Sequence, residues 1–167
     1  MSKELVKIKI MQLIKASYEQ KQIINNLMQF YMYDFSEFVD VDIEVNGFYA
    51  AYKNLDDYWN DENRFPYIIQ NEERPIGFAL VRLIESDQRS HYSMAEFFVI
   101  KKYRKKGIGR QIAIQLFNLH KGWWEIFQRG GNKPAHLFWT NVISTYTNGN
   151  FTERFKDGRT IQNFMST

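Results

Sequence analysis

The sequence predicts one α/β domain, residues 1–167, with a mixed, mostly antiparallel sheet flanked by helices. Three observations carry this reading. Alternating apolar and polar runs, the mark of half-buried strands, are interleaved with segments whose apolar residues recur at helical spacing. An Asp157-Gly158 pair between two alternating runs marks a hairpin near the C-terminus. The chain has 167 residues, 44% hydrophobic and 17% aromatic, which suits a single core, and it shows neither an internal repeat nor a linker.

The elements follow in order. Val6-Lys7-Ile8-Lys9-Ile10 alternates and reads as a strand. Ser17 is placed to cap a helix from about Tyr18 through Tyr33, with Ile23, Ile24, Leu27, Met28, Phe30 and Tyr31 at helical spacing. Residues 34–54 are acidic and irregular, and Asn54 is placed to cap a short helix over Leu55–Asn60. Phe65–Asn71, Ile76–Ser86 and Tyr92–Ile100 read as strands, the first two joined by a turn over Glu72-Glu73-Arg74-Pro75. A helix runs from Ile108 to about His120, and a strand follows over Trp123–Gln128, ended by Gly130-Gly131. Asn132 caps a further helix whose first turn accepts Pro134, where a missing N–H costs little, and Asn148-Gly149 stops it. Phe151–Lys156 and Arg159–Met165 complete the hairpin.

Composition narrows the function. Cysteine is absent, which excludes disulfides, a cysteine nucleophile and thiolate metal sites, and is compatible with a cytoplasmic protein. The N-terminus lacks a secretory apolar core, and no apolar run is long enough to cross a membrane. The net charge of +3 conceals an asymmetry: residues 22–63 hold nine acids and one base, Lys53, a balance of −8 that leaves +11 for the rest. Two solvated faces would give such a split, and so would two ligands of opposite sign.

The most informative segment is Arg104-Lys105-Lys106-Gly107-Ile108-Gly109, between the strand ending at Ile100 and the helix starting at Ile108. A glycine-bearing turn at a helix N-terminus presents converging backbone N–H groups and suits a phosphate. Lys101, Lys102 and Arg110 add to its charge, and no acid occurs between Phe97 and Trp124. No Gly-Lys-Ser/Thr follows, and Ile112 stands where a dinucleotide fingerprint needs its third glycine. Taken alone, by composition, the turn reads rather as a solvated basic helix cap.

The wider pattern resembles the GNAT superfamily of N-acetyltransferases. Arg104, Gly107 and Gly109 match the family's Arg/Gln-x-x-Gly-x-Gly/Ala motif, and Asn132, Ala135, Phe138 and Trp139 resemble its second block. The order of elements fits along nearly the whole chain. The resemblance implies a coenzyme A site and acetyl-CoA as donor. The pyrophosphate would lie on the amides of Lys105, Lys106, Gly107, Ile108, Gly109 and Arg110, with Arg104 beside them. It also implies that the strand before the loop splays from its neighbour, so that Phe98, Val99 and Ile100 pair through their backbone with the pantetheine arm. Asn132, Phe138 and Trp139 would help to hold the cofactor, although Asn132 read locally is simply a helix cap.

Acetyl transfer to an amine needs the nitrogen neutral, and a lysine-like amine has a pKa of about 10.4. Glu96 occupies the strand position where many members keep a base that acts through water; its other reading is a carboxylate held in a structural bond. The family's second block commonly ends in a tyrosine that protonates the departing thiolate, and here that position holds Trp139, whose indole N–H is no useful acid. Tyr146 lies seven residues on, about 10 Å further along the helix. A thiol of pKa about 8.5 leaves tolerably as thiolate, so the reaction does not demand that acid.

In the family the segment between the first two helices commonly lines the acceptor site. Here it is acidic and aromatic, so Tyr31, Asp34 and Phe35 are the expected acceptor contacts, and the expected acceptor is a primary amine on a small molecule or peptide, cationic in character. An acyl-CoA-binding domain with little turnover is the main alternative. A nucleic-acid-binding module is disfavoured by the acidic segment, and a membrane partner is not expected. A homodimer is a family-level expectation, and Trp123-Trp124 or the terminal hairpin would serve it, unless they pack in the core. His91, His120 and His136 show no metal spacing and read as surface or packing residues.

Overall fold

The computed structural model describes residues 11–167. The strand expected over Val6–Ile10 lies outside them. The first described strand is β1 (Met11–Lys15), followed by α1 (Lys21–Phe35), α2 (Asp57–Asn60), β2 (Arg64–Asn71), β3 (Arg74–Ile84), β4 (His91–Val99), α3 (Ile108–Leu119), β5 (Gly122–Arg129), α4 (Lys133–Thr147), β6 (Thr152–Lys156) and β7 (Arg159–Ser166). The seven described strands form one sheet in the order β1-β2-β3-β4-β5-β7-β6. Every pairing among them is antiparallel except that of β4 with β5.

Two corrections concern helix starts. Asn54 adopts a left-handed backbone (φ 59°) in the turn before α2, and Asp56 occupies the cap position, so the short helix begins two residues later than expected. After Ser17 the chain makes a 3-10 turn over Tyr18–Gln20 before α1, and the Ser17 N–H is satisfied by the Gln20 side chain at 3.0 Å. Asn148 closes α4 in a left-handed conformation, and Asp157 and Gly158 both have positive φ, as a two-residue hairpin turn requires.

The core lies on both faces of the sheet. On one, Ile112, Ala113, Leu116 and Phe117 of α3 and Trp139, Val142 and Ile143 of α4 meet Trp124, Ile126 and Phe164. On the other, Ile24, Leu27 and Met28 of α1 meet Ile68, Phe78, Leu80 and Phe98. Each such side chain, fully buried, contributes about 1.5–3 kcal/mol relative to exposure. Trp124 belongs to this core, whereas Trp123 lies under the Arg89 guanidinium, 3.9 Å from its ring centroid. His120 ends α3 as a packing residue: its Nε2 lies 2.8 Å from the Tyr67 hydroxyl, and burial pushes its pKa down to about 4.

Two departures from regularity shape β4. The register slips between Leu80/Glu96 and Val81/Met94, so Ala95 is an extra residue, a bulge. Then β4 pairs with β5 only at Tyr92–Trp124 and Ser93–Glu125. Beyond that the two strands part, as the family resemblance implies, and β4 continues on β3 alone.

The β3–β4 contact tolerates no side chain at Gly77. A Cβ there would lie 2.1 Å from the Phe98 carbonyl oxygen, a backbone atom that cannot yield without moving β4. Gly77→Ala is therefore expected to lower stability by about 1–3 kcal/mol. Chemical denaturation measures this, and an unchanged midpoint would contradict the packing described.

Candidate functional site

Where β4 leaves β5, a cleft of about 610 Å³ opens. Its walls come from α1 (Tyr31, Asp34, Phe35), the following Phe38, the free end of β4 (Phe97, Phe98, Val99), the loop into α3, and the first turns of α4. The structure brings together most of the residues singled out in the sequence. Arg104, Lys105, Gly107, Gly109, Arg110, Asn132, Phe138 and Trp139 all line the cleft. Ile100, Lys106, Ile108 and Glu96 do not. Ile100 packs between the two cores, Ile108 is buried in one of them, and Lys106 sits over the Tyr103 ring.

The loop has the geometry of an anion cradle. Lys105 and Gly107 have positive φ (57° and 78°), which turns successive amides toward one side. None of the N–H groups from Lys105 to Arg110 donates to a backbone carbonyl among the described residues. A Cβ on Gly107 would meet nothing, so the glycine serves its left-handed backbone. A Cβ on Gly109 would lie 3.2 Å from the Phe138 ring, so that glycine lets α4 approach the start of α3.

Arg104 is tied down by two partners. Its Nε donates to the Val99 carbonyl at 2.6 Å, and its Nη2 pairs with Asp34. Lys101 binds the other oxygen of Asp34 at 3.2 Å. Asp34 thus links α1 to the segment between β4 and α3. Asn132 caps α4, its side chain accepting from the Ala135 N–H at 3.1 Å.

Sequence reasoning missed Phe97, Pro134, Asn141 and Val142 as cleft residues, whereas Phe38 lies in the segment and Ala135 in the helical block that it singled out. Helical spacing held the signal for part of this set, because Ala135, Phe138, Trp139 and Val142 share one face of α4. Phe97 stacks on Phe138 (5.8 Å) and meets Trp139 edge-on (5.2 Å). Trp139 is 7% exposed and walls the cleft. Tyr146 is committed elsewhere, with its hydroxyl 2.9 Å from both Asn118 and Ser166.

Glu96 is half-buried on the α1 side of the sheet. The Tyr31 hydroxyl donates to its Oε2, and the Tyr52 hydroxyl donates to its Oε1 at 3.0 Å. Desolvation raises its pKa above the usual 4.5, opposed by these two hydrogen bonds and by the charge of Arg82. The folded state therefore holds this proton more tightly than the unfolded chain. The associated stability is present below pH 4.5 and is lost as pH rises through the folded pKa. Glu96→Gln, which never carries the charge, is expected to gain stability relative to the wild type over that rise. Thermal unfolding at several pH values measures it, and a difference that does not change with pH would contradict the assignment.

The Acetyltransferase (GNAT) family matches residues 22–141. Solved structures share the fold at low identity. An acetyltransferase from Thermus thermophilus superposes with a TM-score of 0.67 at 13% identity, over 92% of this chain and 94% of that one. The PaiA N-acetyltransferase of Thermoplasma acidophilum, in complex with coenzyme A, gives 0.64 at 10% identity, over 93% and 99%. The spermidine N-acetyltransferase of Vibrio cholerae, a dodecamer, gives 0.57 at 12% identity, over 93% and 94%. No curated protein matches by sequence.

Proposed function

The chain belongs to the GNAT family of acetyltransferases, whose donor is acetyl-CoA, and on that premise we propose that it N-acetylates a primary amine of a small-molecule or peptide acceptor. The observation that carries the donor side is the loop with free amides beside an unpaired β4 edge. The pyrophosphate sits on the amides between Lys105 and Arg110, where the α3 dipole adds about 0.3–1 kcal/mol. Pantetheine runs along Val99, whose carbonyl faces the parting and is held by Arg104. The lysines of the loop supply long-range attraction more than contact.

The acceptor enters from the α1–α2 side. Glu37, Asp40, Asp42 and Glu44 are exposed and make no ion pair among the described residues, a field suited to a cation. Asp34 is engaged by Arg104 and Lys101, so it acts in this reading as a brace for the wall; Tyr31 and Phe35 offer aromatic surface. The neutral nitrogen attacks the thioester carbonyl, the C–S bond breaks, and Glu96, which does not line the cleft, takes the amine proton through an intervening group, a water in the expected mechanism. The thiolate departs without a tyrosine acid. The presence of Trp139 at that position supports a second reading, an acyl-CoA-binding domain with little turnover. Cationic polyamines are natural first acceptors to test, since one solved structure sharing the fold is a spermidine N-acetyltransferase.

Calorimetric titration with acetyl-CoA, beside Gly107→Glu, tests the donor site. Micromolar binding lost by at least about tenfold in the variant is expected, because a carboxylate there opposes the pyrophosphate. No binding by the intact protein would remove the acetyltransferase reading. Binding without turnover of any amine in a panel would favour the second reading.

A further inference from the structure

Glu96 does not reach the cleft. Tyr31 forms that wall, and its hydroxyl donates to the Glu96 carboxylate behind it. Tyr52 binds the other oxygen and lies off the cleft wall. Both carboxylate oxygens are therefore covered by phenols, and of these two tyrosines only Tyr31 lines the cleft. We propose that Tyr31 is a catalytic proton relay, its hydroxyl standing between the acceptor nitrogen and Glu96 where the expected mechanism has a water. The inference rests on the acetyltransferase reading above.

The step balances without an ionised tyrosine. As the nitrogen forms its bond to the acetyl carbon, its N–H proton passes to the Tyr31 oxygen. The Tyr31 proton passes in the same event to Glu96 Oε2, and the electron pair of the broken C–S bond leaves on sulfur. Tyr31 ends neutral, and Glu96 ends protonated. A phenolate at Tyr31 is strongly disfavoured by burial and by the adjacent Glu96 charge, which is why the relay must be concerted. Tyr52 has the complementary role of positioning: it fixes the carboxylate by its second oxygen.

The ring of Tyr31 is held independently of its hydroxyl. It stacks on Phe35 at 5.6 Å and meets Phe78 and Phe98 edge-on at 5.9 Å each. Removing the oxygen therefore leaves the ring in place. The charged and titratable groups that face this cluster are Arg82 of β3, Tyr58 of α2 and Arg129 of β5, besides Tyr52 itself.

The test is a cycle of Tyr31→Phe, Glu96→Gln and the double variant, with Tyr52→Phe beside them. Turnover of an accepted amine is measured across pH. Tyr31→Phe should lower kcat by about 10²-fold, in the range of general acid–base effects, with acetyl-CoA affinity within about twofold. The double variant should be no slower than Glu96→Gln, because both changes cut one path. Tyr52→Phe should keep most of the rate and move the acid limb of the pH profile upward, since the carboxylate loses a donor. Carbon-13 NMR of Glu96 in the free protein should show its titration shifted upward in Tyr31→Phe, a readout that needs no turnover. Three results would overturn the relay: wild-type turnover in Tyr31→Phe, losses that multiply in the double variant, or an unshifted Glu96 titration in Tyr31→Phe. A wild-type protein that binds acetyl-CoA yet acetylates no amine would overturn the acetyltransferase reading, and the relay with it.

Discussion

Ala95, the extra residue in β4, decides which side chains meet which face of the sheet. Met94 points to the α3/α4 core, while Ala95 packs against the α1 core. Without a bulge, strict alternation would send Glu96 back toward α3 and α4 with Met94. With it, Glu96 stays on the α1 side and meets Tyr31 and Tyr52. Phe97 and Val99 then face α4 and α3, and Phe98 faces α1. One inserted residue thus puts the carboxylate beside the acidic, aromatic segment and the aromatic floor on the opposite face.

The parting of β4 from β5 completes the site. Backbone groups on the released edge still need partners. Arg104 supplies one to the Val99 carbonyl, and Asp34 fixes Arg104 in turn. The chain Asp34–Arg104–Val99 therefore joins α1, the loop before α3 and β4. It couples the acidic half of the protein to the basic half through a part-buried ion pair, which is less screened by salt than a fully exposed one. Of the neighbouring lysines, Lys101 pairs with Asp34 and Lys106 lies over the Tyr103 ring.

Much of this organisation was legible in the sequence, and the limits have physical reasons. Helices and strands from α1 to β7 follow from periodicity and from punctuation such as Asn132, Asn148-Gly149 and Asp157-Gly158, because those residues act locally. Gly107 was legible for the same reason: its left-handed φ is a property of the turn. β1 at Met11–Lys15 was not, because Met-Gln-Leu-Ile-Lys lacks clean alternation and gains its identity by pairing with β2. The bulge at Ala95 was invisible, since every residue from Met94 to Ile100 except Glu96 is apolar and either register buries the run. The Tyr31–Glu96–Tyr52 arrangement joins positions 65 and 44 residues apart and exists only once α1 docks on the sheet. Arg104 was recognised as part of the motif, but its commitment to Asp34 is tertiary and left no local trace.

Burial of Glu96 has two consequences that cannot be separated. Desolvation raises its pKa, so the carboxylate costs stability once ionised. The same rise makes the carboxylate a stronger proton acceptor in the proposed reaction. A more exposed carboxylate would relieve the fold and weaken the base. Two phenols moderate the conflict, because their hydrogen bonds favour the charged form. On the opposite face Trp139 and Phe97 wall the cleft with apolar surface that carries no acid. In the proposed reaction such a site is weighted toward deprotonating the nucleophile, with the leaving group left to the modest basicity of its own thiolate.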